Sequence, residues 1–238
     1  MKREIMSGAL MGAFALALMT GCVTSTCKVC PFSKAADTKS IYYKDGKFDA
    51  AKGKQAYFAM MKRFNVPVYE ALVKDEGYFW VLDFNKGDFD SYGMGGVFWS
   101  NTKMPGNYGY LGHEIYLLPN QSIPEHRHLV TKDDKGATIP AKEESWMVRN
   151  GYVYGFSEVG EPNLDKYPEA KALLSRVQIP YLKSVHVEKW VADGRTHVMP
   201  KTETWHFMMA GPEGAIISEF ATYHDMAGLR FSVPGAKP

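Results

Sequence analysis

The stretch Pro124-Glu125-His126-Arg127-His128 sets two imidazoles two residues apart. In an extended strand residues i and i+2 point the same way, so both rings face one side. Two such rings can take adjacent positions on one metal ion. A surface strand also carries an H-x-H pair by chance, so the segments around it must supply the meaning.

Those segments read as short strands. Residues 78–82, 93–99, 113–118, 144–154, 185–190, 204–209 and 215–223 are aromatic and β-branched. Turn dipeptides separate them, among them Pro119-Asn120, Asn150-Gly151, Asp193-Gly194 and Gly211-Pro212. Asp83 to Phe89 reads as a further turn. Many short strands with regular turns predict a mainly β fold, a closed barrel or sandwich. Three helices are expected, at 50–63, 68–74 and 168–176. The first has apolar residues at helical spacing and ends before Pro67, which cannot continue it. The fold class is therefore a β-barrel with a helical N-terminal preamble.

Composition mostly excludes. Among 238 residues there are 28 Lys+Arg against 26 Asp+Glu, a net charge of +2. A dedicated nucleic-acid binder would carry a clear basic excess, so no nucleic-acid partner is expected. The 45% of hydrophobic and 23% of charged residues fit an ordinary globular chain. Three cysteines, Cys22, Cys27 and Cys30, all lie near the N-terminus and cannot build a disulfide scaffold.

The N-terminus reads as an address. Lys2 and Arg3 precede an apolar run, 9–19, too short for a permanent membrane span. The run stops at Met19-Thr20-Gly21-Cys22, which resembles a bacterial lipobox. The reading is a signal peptide over 1–21, a tether over 22–40 and one domain over 41–238. The mature protein is then exported and held on a membrane through lipid on Cys22. Cys27 and Cys30 form a C-x-x-C whose context fits neither a thioredoxin site nor a zinc knuckle.

Around the H-x-H, Glu144 is followed by six residues and Gly151; Gly194 is followed by five residues and Pro200, with His206 six further on. This arrangement resembles the two cupin motifs, G-x5-H-x-H-x3-4-E-x6-G and G-x5-P-x-G-x2-H. The resemblance implies a jelly-roll cupin barrel with one divalent metal held by His126, His128, Glu144 and His206. Three imidazoles and a carboxylate suit Mn, Fe, Co, Ni or Zn. The spacing from His128 to Glu144 is longer than in the motif, and Lys132 to Gly136 is taken as the tip of an inserted hairpin. Glu143 is the rival ligand, but alternation lets only one of the two neighbours face inward. His186 and His197 are left outside the set.

More specific segments narrow the family. Asp83-Phe84-Asn85-Lys86-Gly87-Asp88-Phe89, Pro124-x-His126-x-His128, Lys142-x-Glu144, and Ser218-Glu219-Phe220 through Leu229-Arg230-Phe231 are similar to segments of the D-lyxose isomerase family. The resemblance runs with gaps from Gly77 to Pro234. It implies a metal-dependent aldose–ketose isomerase with a small sugar as substrate and Mn2+ as the first-choice ion, working through an enediol or a hydride shift. Other classes to weigh are a non-catalytic sugar-binding cupin and a cupin oxygenase. An enediol route needs a base near C1 and C2, and Glu219 is the first candidate. Arg230 and Asp225 are candidates for sugar binding or carboxylate support. His113 falls where the family resemblance places a lysine. The aromatics Trp99, Tyr116, Trp146, Trp205 and Phe207 are taken as barrel filling. A homodimer is left open.

Overall fold

A computed structural model describes residues 40–104, 109–223 and 225–238. The expected signal peptide and the three cysteines lie outside the described residues. Among the described residues no helix is long and apolar enough to cross a membrane.

The domain opens on a small hairpin, β1 (Tyr43–Lys44) and β2 (Lys47–Phe48), followed by helix α1 (Ala50–Arg63). Asp49 caps α1, its side chain accepting from the Lys52 amide, and Lys62 and Arg63 sit in the last turn, where cations suit the helix dipole. Gly53, Tyr57, Met60 and Met61 form its buried face. Burying the three large side chains contributes roughly 1.5–3 kcal/mol each. Gly53 allows close approach: a Cβ there would sit 2.8 Å from Val81 Cγ1. Helix α2 (Glu70–Lys74) starts two residues later than expected.

The remaining strands are β3 (Trp80–Leu82), β4 (Met94–Lys103), β5 (Gly109–Leu117), β6 (His126–His128), β7 (Thr131–Lys132), β8 (Thr138–Ile139), β9 (Glu144–Ser157), β10 (His186–Val191), β11 (His197–Val198), β12 (His206–Thr222) and β13 (Leu229–Phe231), with α3 (Pro168–Leu173) before β10. One sheet runs β10-β9-β12-β5-β4-β3; β6 pairs with β12 and β13, and β11 with β9. These strand pairings are all antiparallel. β7 and β8 are the expected inserted hairpin, turning at Gly136 with φ +79°.

Two turn expectations fail. Gly211-Pro212 does not separate two strands. β12 runs through it with a register shift against β9, so that Ala210 faces Val153 and Ala215 faces Gly151. Asn150-Gly151 likewise lies inside β9 at that irregularity. Gly151 (φ +71°) and Gly214 (φ +81°) face each other, and a Cβ on Gly151 would sit 2.1 Å from the Gly214 carbonyl oxygen. The positive-φ glycines serve a bulge that bends both long strands rather than a chain reversal.

Side-chain alternation sorts the two faces of this sheet. Tyr116, Ile216 and Val97 point outward onto α1, where Tyr57, Met60, Phe79 and Phe89 complete a cluster. Ile115, Leu117, Ile217 and Met208 point into the barrel. The aromatic expectation splits accordingly. Tyr116, Trp146 and Phe207 are buried, whereas Trp99 is 51% exposed. Trp205 is half-buried beneath the Arg127 guanidinium, 4.6 Å from its ring centre.

Candidate metal centre

β6 is short, yet three supports hold it in place. It pairs with β12 at His126–His206 and with β13 at His126–Phe231 and His128–Leu229. Glu125, fully buried, anchors its start: the carboxylate accepts from the amides of Lys183 and Ser184. Alternation then turns both imidazoles inward and Arg127 out.

His126, His128, Glu144 and His206 each offer a ligand atom, all within 4.8 Å of one another. The imidazole ring centres of His126 and His206 are 4.3 Å apart, and those of His126 and His128 5.0 Å. His126 Nδ1 donates to the Pro124 carbonyl and His206 Nδ1 to the Thr204 carbonyl, both at 2.8 Å. Each bond fixes the tautomer that leaves Nε2 with a lone pair facing the cluster. His206 Nε2 is buried without a hydrogen-bond partner among the described residues and lies 3.6 Å from Glu144 Oε1. These four side chains would hold a divalent ion. The donor chemistry therefore fits a divalent metal. Burial holds both rings neutral: it lowers His126 well below the usual range, reinforced by His206, and lowers His206 to about 4. Neutral imidazole is the form that ligates. Glu143 is exposed, so Glu144 alone of the pair enters the site.

A polar network continues from Glu144. The buried Lys142 ammonium donates to Glu144 Oε2 at 3.1 Å and to Glu219 Oε1. His113 Nδ1 contacts Glu219 Oε2 at 2.8 Å. Burial alone would push the Glu219 carboxyl up, but Lys142 and His113 outweigh it and hold it well below the usual range. Burial also pushes the Glu144 carboxyl up, to about 8, with Lys142 opposing. A divalent cation on the ligands would reverse that direction for Glu144. Burial lowers Lys142, but the two carboxylates more than reverse this, so the ammonium stays charged. Burial lowers His113 in spite of Glu219, leaving a neutral ring. Because Glu219 is ionised and only accepts, His113 Nδ1–H is the donor and Nε2 keeps its lone pair.

All these groups line one cavity of about 280 Å³, together with Trp80, Phe98, Trp146 and Phe231. Two expected residues stay outside it. Arg230 points outward from β13, and its guanidinium donates to the carbonyls of Ala227 and Leu229. Alternation decides this, since Leu229 and Phe231 take the inward positions. Asp225 caps a short turn, accepting from Thr131 Oγ1 and the Ala227 amide. Sequence reasoning gave no role to Lys142, although its i, i+2 spacing from Glu144 marks it as facing the same way. It also passed over Trp80 and Phe98. Their rings flank His113 at 5.3 Å and 4.5 Å between centres.

Comparison with known proteins fits this geometry. No family model matches the chain. A D-lyxose/D-mannose isomerase of Thermosediminibacter oceani is 30% identical over 185 residues, covering 74% of this chain and 93% of that protein. The chain belongs to the D-lyxose isomerase family. It is a cupin-fold sugar isomerase by that membership. A D-lyxose ketol-isomerase of Cohnella laeviribosi is 32% identical over 142 residues, 60% of this chain and 69% of that one. Among solved structures, L-ribose isomerase of an Acinetobacter species superposes with TM-score 0.58 at 17% identity, covering 78% of this chain and 91% of the other. That likeness shows the cupin fold.

Proposed function

We propose that this isomerase interconverts D-lyxose with D-xylulose, and D-mannose with D-fructose, with Mn2+ on His126, His128, Glu144 and His206. The observation that carries the proposal is Glu219, an ionised carboxylate in the ligand cavity, tied to the ligand Glu144 through Lys142. The bound ion would polarise the sugar carbonyl and raise the acidity of the neighbouring C–H.

The residues divide the remaining work. Glu219 takes the proton from C2 of the aldose and returns it to C1, while the O2 hydroxyl proton passes to O1, which makes the ketose through an enediol. His113 and Lys142 grip both of its oxygens and fix its direction. Lys142 is also a charged donor within reach of the sugar oxygens as they gain negative charge. The apolar walls limit bulk water at the reacting carbons, so the shuttled proton on Glu219 exchanges only in part with solvent. The substrates are those in the name of the Thermosediminibacter relative. We further propose an exported, lipid-anchored protein, on the strength of Lys2, Arg3, the apolar run and Cys22.

The test is direct. Purified protein with Mn2+ is incubated with D-lyxose in deuterated water, and ketose and solvent deuterium in the product are measured. Activity should fall to background after chelation and return with Mn2+. His126→Ala should lose stoichiometric metal and activity together. Full activity in the chelated enzyme overturns the mechanism.

A further inference from the structure

One wall of the cavity remains to be explained. Trp80 Nε1 and His113 Nε2 are both buried and have no hydrogen-bond partner among the described residues. Both residues line the same cavity as the metal ligands. Their rings lie 5.3 Å apart, tilted by 32°. Gly96 makes this possible: a Cβ there would sit 2.2 Å from Trp80 Cζ2 and 2.7 Å from His113 Nε2. The wall is thus a built feature, with a backbone position kept bare for two polar rings.

The two atoms are opposite in kind. Indole Nε1–H only donates. Neutral His113 spends its proton on Glu219, so its Nε2 only accepts. Leaving either buried and unpaired costs stability, so a ligand able to satisfy both gains on binding. A hydroxyl both accepts and donates, whereas a carbonyl or ether oxygen only accepts. We infer that Trp80 and His113 form a recognition wall for hydroxyl groups in the tail of the open-chain sugar, at C3 and beyond. The inference rests on the proposed function for placing C1 and C2 at Glu219. His113 joins the two regions, since one ring nitrogen meets the base and the other belongs to the wall. Phe98, stacked on His113, holds the ring in that role. The wall makes substrate choice depend on hydroxyl pattern and not on size alone.

The experiment compares wild type with Trp80→Phe, which keeps a ring over Gly96 and removes the N–H. The kcat/KM is measured for D-lyxose and its 3-, 4- and 5-deoxy analogues, and pentitol binding is measured by calorimetry on the Mn2+ form. At least one deoxy sugar should be about 10- to 100-fold poorer on wild type. Trp80→Phe should weaken D-lyxose about tenfold, yet leave that deoxy sugar within about twofold. It should also weaken pentitol binding about tenfold. A merely structural role would lower all substrates alike. The inference is overturned if wild type accepts every deoxy analogue as well as D-lyxose, a result that needs no variant. It is equally overturned if Trp80→Phe leaves pentitol affinity unchanged or depresses all substrates equally. If wild type binds pentitol tightly, loses that affinity in Trp80→Phe and turns over no aldose, the wall stands and the isomerase reading falls. A wild type that neither binds pentitol nor turns over aldose overturns both.

Discussion

Lys142→Met probes the charge balance of the site. The substitution keeps volume and removes the only cation placed between two buried carboxylates among the described residues. At the 3.1 Å Lys142–Glu144 separation, an effective dielectric of 20 makes one such attraction about 5 kcal/mol. Desolvation offsets much of it, and removing one partner of a buried pair typically costs about 3–5 kcal/mol. For a domain of this size that lowers Tm by about 6–20 °C. The sign with pH follows from burial. Loss of Lys142 raises both carboxyls relative to wild type, because burial is then less opposed, so the penalty is full at high pH. It fades as pH falls through those raised values, because the neutral acids no longer need a cation. Thermal unfolding in EDTA at pH 8 and pH 5 should show a large gap between variant and wild type at pH 8 and a small one at pH 5. Mn2+ should raise Tm more in the variant, since the ion brings positive charge to Glu144. A Tm within about 2 °C of wild type at pH 8, or a gap that does not change with pH, would refute the reasoning.

Other outcomes follow from single residues. Glu219→Gln should lower kcat about 10²–10⁴-fold while retaining stoichiometric metal by elemental analysis. Arg230→Ala, at a position outside the cavity, should leave kcat/KM within about twofold and stability within about 0.5 kcal/mol by denaturant titration. Glu114, on the outer face of β5, has its carboxyl pushed up from 4.5 to about 7 by burial, against the pull of Arg149. A raised folded value means stability that is full below pH 4.5 and lost as pH rises through 7. The loss is about 3 kcal/mol at 1.36 kcal/mol per unit. Glu114→Gln should match wild type near pH 4.5 and exceed it by up to that amount at pH 8; coincident Tm–pH curves would reject this.

The facing of the two histidines was legible because it follows a local rule, whereas Glu144 and His206 joined the candidate set through the cupin resemblance. Two histidines at i, i+2 face together in any strand. The choice of Glu144 over Glu143 needed only alternation and the position of Gly151. Helix α1 was legible to the residue, because its apolar spacing and terminating Pro67 agree. The turns were harder to read, since Gly211-Pro212 and Asn150-Gly151 signal reversals in isolation. Only the pairing of β9 with β12 shows that the two irregularities oppose each other and merge into one bulge. Turn chemistry describes a residue's own dihedrals, not what lies across the sheet.

By itself, then, the sequence determined a β domain and the facing of the two histidines, because strand alternation and helix periodicity are set by neighbouring residues; the candidate quartet and the isomerase reading were what the family resemblance implied. Tertiary structure alone decided which other groups join that quartet. Arg230 and Asp225 lie close to Glu219 in sequence and miss the cavity. Trp80 and His113 come from separate segments and meet at it, and Lys142, local to Glu144, there meets Glu219. Charge balance and unpaired polar atoms are properties of an enclosed volume, and that volume exists only once β3, β5, β9 and β12 have closed around it.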